Sequence, residues 1–288
     1  MVNYKSIKLS PGLYFVSTPI GSARDITLRA LDILANADVL AAEDTRTLKK
    51  LLEIHEIPMK NRILISYHDH NGSKARPKLL AHLEQGKSIA YTSEAGTPLI
   101  ADPGFSLLTG VISAENNVTS APGPCALIAA LTVGGLPTDR FCFEGFLPNN
   151  KSQRELKFRQ LQSYRGTLIF YESAKRLKDT LVKALEIFGE ARQAVVCREI
   201  TKKFEDIKRG NLKELSSFYS DKNVKGEIVL LIAGAVDFDT NQSKIEQYVK
   251  DALRSMSVKD SAEAVALAFN VSRRDVYQIA LKIKSDGD

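Results

Sequence analysis

The stretch Ser88–Phe105 constrains this chain more than any other. It opens with Ile89, Ala90, Tyr91 and Thr92, an apolar, partly β-branched run that reads as a buried parallel strand. It then breaks at Gly96, Pro98, Pro103 and Gly104, residue types that stop regular structure and let backbone approach something bulky. In open α/β sheets, ligands sit beyond the carboxyl ends of the strands. A long Gly/Pro loop at such an end is therefore a ligand-site candidate.

The chain around this stretch alternates strand and helix. Strands are expected at Leu13–Thr18, Val39–Ala42, Ile63–Ile65 and Val118–Ser120. Helices are expected after Asp25 as a cap, through Leu48 and Leu52, over Lys74–Gln85, and over Phe105–Asn116. That rhythm implies a mostly parallel sheet covered on both faces. Beyond Pro122-Gly-Pro124, with Pro124 at a suitable first helical position, the rhythm changes. Strands at Phe141–Phe143, Thr167–Tyr171, Ala194–Cys197, Phe204–Arg209 and Ile228–Ala233 include two separated by only a short gap, so antiparallel pairing and a mixed sheet are expected. Ser152-x-x-Glu155 reads as a capping box on a basic helix. Asp237–Ser243 reads as a linker, and Lys244–Lys284 as a helical tail. Its last two helices resemble a helix-turn-helix, with a turn at Asn270-Val271 and a box at Ser272-x-x-Asp275. The expected fold class is α/β: a parallel-sheet domain over 1–121, a mixed-sheet domain over 125–236 and a helical domain over 242–288.

Charge is distributed unevenly. The chain nets +6, yet Asn149–Lys213 alone holds 16 Lys+Arg against 8 Asp+Glu, a net of +8, which leaves −2 elsewhere. Such a segment suits a polyanion such as RNA, or is a solvated helix face. From Lys244 to the end the balance is 8 against 7, too even to make the tail an electrostatic reader by itself. Cys125, Cys142 and Cys197 are odd in number and scattered, which points to reduced thiols in a cytosolic protein. No apolar run has the length of a signal-peptide core or of a membrane span, so no membrane partner is expected.

Several polar clusters follow strands. There is no G-x-G-x-x-G and no G-x-x-x-x-G-K-[ST], so neither a dinucleotide fold nor a P-loop is supported. Glu43-Asp44-Thr45-Arg46 is either a helix N-terminus, where acids suit the dipole, or a pair of cleft residues. His68 and His70 would share one side if their strand continued. They are a general base, a substrate contact, a loop hydrogen-bonding cluster, or a metal pair lacking a third ligand. Asp102 is a ligand contact or a cap of its own turn. No nucleophile elbow indicates acyl transfer.

Five segments together carry a resemblance: Ser17-Thr-Pro-Ile-Gly21, Ala42-Glu-Asp-Thr-Arg46, Tyr67-His-Asp-His-Asn71, Glu94-Ala-Gly-Thr-Pro-Leu99 with its continuation to Gly104, and Ala121-Pro-Gly-Pro-Cys125. In this order they resemble the 16S rRNA cytidine 2′-O-methyltransferases, a branch of the tetrapyrrole-methylase superfamily. Glu94 stands where aspartate is commoner, and a carboxylate is kept. The resemblance spans Gly12 to about Lys284 and implies a two-domain tetrapyrrole-methylase-like architecture with a helical tail domain. It implies S-adenosylmethionine as cofactor, and as partner the 16S rRNA within the small ribosomal subunit, methylated on the ribose of a decoding-region cytidine. It also implies a homodimer in the cytoplasm.

The expected cofactor contacts are Pro19, Gly21, Ser93, Ala95, Gly96, Thr97, Pro98, Leu99, Pro124, Tyr171, Glu172 and Ser173. The expected catalytic set is Asp44, Arg46, His68 and His70; Asp44 would orient or deprotonate the ribose hydroxyl. Arg46, Lys151, Arg154, Arg273 and Arg274 would meet RNA. No metal is expected. Two other readings remain. A tetrapyrrole methylase of the same superfamily usually has a glycine-richer first loop than Ser17–Ser22 and no helical tail. A non-enzymatic RNA reader would depend wholly on the tail.

Overall fold

The computed structural model describes residues 3–235, 242–269 and 271–285. The expected linker over 237–243 falls mostly outside them, as does Asn270 of the expected turn. The chain separates into two compact units, Met1–Gly234 and Ala235–Asp288. Both expected α/β halves lie within the first unit.

The first half builds β1 (Gly12–Val16), α1 (Leu28–Asn36), β2 (Val39–Ala42), α2 (Thr45–Ile54), β3 (Ile63–Ser66), α3 (Gly72–Glu84), β4 (Ser88–Thr92), α4 (Phe105–Ser113) and β5 (Val118–Ala121). The five strands form one parallel sheet in the order β3-β2-β4-β1-β5. Side chains alternate between its faces, as strand geometry requires. Leu40, Ala42, Ala90 and Val16 meet α1 and α2 on one face. Val39, Ala41, Ile89, Tyr91, Leu13 and Phe15 meet α3 and α4 on the other. Tyr91 is fully buried and stands edge-on to Phe15 and Tyr67. Burying each such side chain contributes roughly 1.5–3 kcal/mol.

The neighbours β1 and β4 matter most. The chain leaves β1 toward the α1/α2 face and leaves β4 toward the α3/α4 face. Their loops therefore part over the sheet edge, the topological switch point where α/β sheets bind ligands.

The second half builds α5 (Ala126–Gly134), β6 (Phe141–Phe146), α6 (Lys151–Leu161), β7 (Thr167–Ser173), α7 (Leu177–Phe188), β8 (Gln193–Arg198), β9 (Asp206–Asn211), α8 (Leu212–Tyr219) and β10 (Glu227–Ile232). Its sheet, ordered β6-β7-β10-β8-β9, is mixed: β6 and β7 are parallel and the other pairs antiparallel. Leu168, Phe170, Val196 and Leu230 pack beneath α6, α7 and α8. Ile169, Val195, Val229 and Leu231 pack against α5. Helix α5 comes close enough that a Cβ on Gly134 would lie 2.4 Å from Leu231 Cδ1. The second unit packs α9 (Gln242–Leu253), α10 (Val258–Phe269) and α11 (Arg273–Ser285) around Val249, Ala262, Val265 and Ala280.

Local chemistry corrects several expectations. Helix α1 is capped by Thr27, whose hydroxyl accepts from Ala30 N–H, and not by Asp25. Helix α6 is capped by Asn150 instead of Ser152; its carbonyl oxygen takes both the Ser152 and Gln153 N–H groups. Pro124 precedes α5 and is not its first residue, because Cys125 is the cap. An unforeseen capping box opens α8, where Asn211 and Glu214 exchange bonds. β3 ends at Ser66, so His68 and His70 belong to a turn.

Candidate active site

The loop after β4 is built by backbone few residues adopt. Gly96 and Gly104 have φ of 80° and 127°, and Leu99 and Ala101, although not glycine, have φ of 74° and 61°. Left-handed conformations cost such residues roughly 1–2 kcal/mol each, and they collect at functional sites. The loop is pinned to its neighbours. Gly96 exchanges two backbone hydrogen bonds with Thr18, at 2.9 and 3.0 Å. The Thr97 hydroxyl donates to Pro124 carbonyl at 2.9 Å and stands 3.1 Å from the Ser17 hydroxyl. The segments after β1, after β4 and before α5 thus form one rigid lip.

That lip faces the second sheet across a cavity of about 410 Å³. Its other wall comes from Tyr171–Ser173 at the end of β7, Cys197 and Ile200 after β8, and the start of β10. Antiparallel β10 brings its amino end to the carboxyl ends of β7 and β8. Tyr171 is fixed where it stands: its hydroxyl accepts from Leu127 N–H at 3.3 Å, and Phe143 meets its ring edge-on at 4.8 Å. Burial pushes the Tyr171 phenol up, so it stays neutral.

The electrostatics of the cavity are one-sided. Glu94, Asp102 and Glu227 line it, the last paired with Lys202 at 2.7 Å, and among the described residues no lysine or arginine is in the lining itself. Burial, together with the Glu43 and Glu94 charges, pushes the Asp102 carboxyl up to about 6. The Ser93 hydroxyl is near enough to oppose that shift, though outside good hydrogen-bond geometry. The buried hydroxyls of Thr18 and Thr92, at the ends of β1 and β4, have no protein partner. Neither threonine lines the cavity, but carboxylates with no cation in the lining, beside an apolar wall, suit a neutral or cationic polar ligand and disfavour an anionic one. S-adenosylmethionine, with its sulfonium and ammonium groups and no phosphate, fits this donor set.

Among the expected cofactor contacts, Ala95, Gly96, Thr97, Tyr171, Glu172 and Ser173 line the cavity. Glu172 does so through its backbone. Its carboxylate is fully enclosed and taken by Ser173 N–H, the Arg176 guanidinium and the Thr180 hydroxyl, with Nε and Oγ1 each at 2.7 Å. Pro124, whose carbonyl accepts from the Thr97 hydroxyl, and the buried Ser93 are not in the lining. Pro19, Pro98 and Leu99 lie outside the lining; Leu99 packs toward the β4 core. Gly21 is corrected: its missing side chain admits the Thr201 loop, whose Oγ1 would sit 2.4 Å from an added Cβ.

The polar clusters divide likewise. Asp44 is the N-cap of α2, accepting from Arg46 N–H at 2.8 Å and pairing with the Arg46 guanidinium at 2.8 Å. Those bonds hold its carboxyl down to about 2, which makes it a weak base. The Arg46 side chain is 91% exposed and close enough to Glu94 to feel its charge, so it stands at the rim. His68 and His70 line no part of the cavity. Their rings are 6.0 Å apart in a turn closed by Asn71, which accepts from His68 N–H and donates to Ser66 carbonyl. Among the described residues no group of three metal-ligating side chains assembles.

Lys151 is exposed and faces Asp179 at 3.6 Å. Arg154 is corrected: it is only 3% exposed, on the buried face of α6 with Phe158, so it offers no surface for RNA. Arg273 and Arg274 are exposed in the first turn of α11, the former 3.1 Å from Glu263.

Asp102, expected as a ligand contact or a cap of its own turn, lines the wall, and so does Glu94 of the same loop, for which no site role was expected. Sequence reasoning missed Phe146, which lies on the opposite wall.

Residues 12–216 match the model of the tetrapyrrole (corrin/porphyrin) methylases, and residues 239–284 match the RsmI C-terminal HTH domain. The chain is 40% identical over 279 residues to the ribosomal RNA small subunit methyltransferase I of Rickettsia prowazekii, covering 96% of this chain and 98% of that protein. It is 41% identical over 282 residues to the protein of that name from Vibrio cholerae, covering 95% of each. Among solved structures, the methyltransferase CobJ superposes with a TM-score of 0.60 at 17% identity over 78% of this chain and 95% of that one. A uroporphyrin-III C-methyl transferase from Thermus thermophilus, complexed with S-adenyl homocysteine, gives 0.53 at 17% identity over 76% and 96%. Among the described residues no helix is long and apolar enough to cross a membrane. From its parallel and mixed sheets to its C-terminal helices, the chain belongs to the tetrapyrrole methylase family, in the branch that includes the small-subunit ribosomal RNA methyltransferases I.

Proposed function

We propose that this protein transfers a methyl group from S-adenosylmethionine to 16S rRNA of the small ribosomal subunit, at the ribose 2′-hydroxyl of a decoding-region cytidine. The observation that carries the reading is the cavity wall, with Glu94 and Asp102 in no ion pair among the described residues, no lysine or arginine in the lining and a lip of neutral backbone. Full-length likeness to proteins named small subunit methyltransferase supports RNA as the substrate class. When bound, the cofactor supplies a methyl already activated by the positive charge on its sulfur.

The chain's own contribution is chiefly placement, which can supply several kcal/mol of a barrier. The 94–102 loop and Tyr171–Ser173 close on the ligand from two sides, and Glu94 and Asp102 face its positive charge. Asp102, titrating near 6, is mostly ionised at neutral pH yet still basic enough to accept the ribose proton. Asp44 braces Arg46, whose exposed guanidinium meets a phosphate at the rim. Lys151 is a further phosphate contact of this unit, and Arg273 and Arg274 are separate phosphate contacts of the helical unit. The same reading retains the homodimer and the cytoplasmic setting.

The test uses small subunits from cells lacking this protein, labelled S-adenosylmethionine and the purified chain, with 2′-O-methylation mapped by reverse-transcription stops. A single new stop at the decoding-region cytidine is expected. Measurable cofactor binding with no label in subunits or free rRNA would overturn the RNA assignment and favour a tetrapyrrole substrate.

A further inference from the structure

Strand β6 is an edge strand, and its pairing with β7 slips. Phe143 pairs with Ile169 but Phe146 with Tyr171, so three steps on β6 match two on β7. The extra residue is accommodated at Gly145, with φ of 67° and open space where a Cβ would point. Bulges of this kind occur beside active sites, where they re-aim a side chain. Here the bulge has a definite result. Without it, Phe146 would lie on the opposite face from Phe143; with it, both rings stand edge-on to Tyr171, at 5.4 and 4.8 Å.

Phe146 is nevertheless 61% exposed. It borders both the cofactor cavity and a shallower recess of about 590 Å³ floored by the segment after β6. Arg176 fixes that segment, donating to Leu147 carbonyl at 3.0 Å and to the Asn149 side chain while paired with buried Glu172. Across the recess stands Lys175, exposed and with no carboxylate partner among the described residues. A braced, solvent-facing aromatic ring next to an unneutralised ammonium is a platform for an unstacked base and its phosphate.

Resting on the RNA reading above, we propose that Phe146 is the stacking platform for the target nucleobase, and that Lys175 holds the adjoining phosphate. The ligand class is a single-stranded or flipped-out nucleotide, whose ribose then lies at the mouth of the cavity beside Asp102.

The test compares wild type, Phe146→Leu, Phe146→Tyr and Lys175→Ala. Methyl transfer to unmethylated small subunits is measured at saturating cofactor, beside calorimetric binding of S-adenosylhomocysteine. Leucine keeps apolar bulk and removes the π face. Phe146→Leu is expected to lose about tenfold in kcat/KM, well beyond any loss of S-adenosylhomocysteine affinity that its place on the cavity wall brings, and Phe146→Tyr to stay within about twofold of wild type in both. Lys175→Ala is expected to weaken subunit binding and flatten its salt dependence. Wild-type rates in Phe146→Leu, or a loss of cofactor affinity equal to its loss of rate, would overturn the proposal while leaving the RNA reading intact. A wild-type chain that methylates no subunit would remove both, and that control arm tells the two failures apart.

Discussion

Asp102 shows how one residue can cost stability and serve function. Its folded pKa of about 6 lies above the ordinary value of 3.8, so the folded state binds the proton more tightly. The stability it contributes is present below about pH 4 and is lost as pH rises through about 6. Asp102→Asn should therefore stabilise the fold at pH 7 by about 1 kcal/mol once partial exposure is allowed for, read as a higher thermal midpoint, with the gain fading toward pH 4. An unchanged melting curve at pH 7 would contradict this. The same titration sets ligand affinity: protonation removes the negative charge facing a cationic ligand. Affinity for S-adenosylmethionine should fall as pH drops through about 6, and Asp102→Asn should flatten that profile in calorimetry. Glu172 has the opposite character, since its carboxylate is spent on Arg176, Thr180 and Ser173. Glu172→Ala strands a partly buried guanidinium and should destabilise by about 3 kcal/mol in denaturant melts. Such a loss marks Glu172 as scaffold; a lost ligand with unchanged stability would mark it as a contact. The sequence could show that carboxylates and histidines follow strands. It could not show which were spent, because Asp44 and Glu172 are consumed by residues one to eight positions away through bonds that only folding forms.

At the scale of elements, the strands and their order of appearance were legible because buried parallel strands are short apolar runs whatever their neighbours. The five strands of the first sheet and the antiparallel β8–β9 pair stand where the pattern placed them, within a residue or two. Helix ends were less legible. Asp25, Thr27, Asn150 and Ser152 all have cap-forming side chains, and tertiary packing decides which of two nearby residues turns its oxygen inward. At α6 the basic composition hid the buried face as well, since Arg154 packs inward beside Phe158. The β6 bulge left only a faint trace, a glycine inside an aromatic strand, and so Phe146 passed unnoticed. The glycine at the lip is firmer. Gly96 needs φ of 80°, and an added Cβ would lie 3.2 Å from Ile20 Cγ2. Gly96→Val should force the lip open at a cost of roughly 1–2 kcal/mol without unfolding the sheet beneath it.

The molecule as a whole couples a cavity-bearing unit over 1–234 to a helical unit with its own small core. The strand–helix rhythm and its change near Pro124 suggest two α/β domains, over 1–121 and 125–236, and both fall within the first of these units. The functions of the two units are separable. A chain ending at Gly234 should bind cofactor as the full chain does and lose most methyl transfer to small subunits, measured by label retained on the subunit. Equal transfer by the shortened chain would deny the tail a substrate role. The account rests first on one cavity holding one cofactor, and calorimetric titration of S-adenosylmethionine into wild type and Gly96→Val tests that most directly. One ligand per chain is expected for wild type, with affinity at least about tenfold weaker in Gly96→Val at an unchanged far-ultraviolet spectrum. No binding to wild type, or equal binding by a folded Gly96→Val, would contradict it.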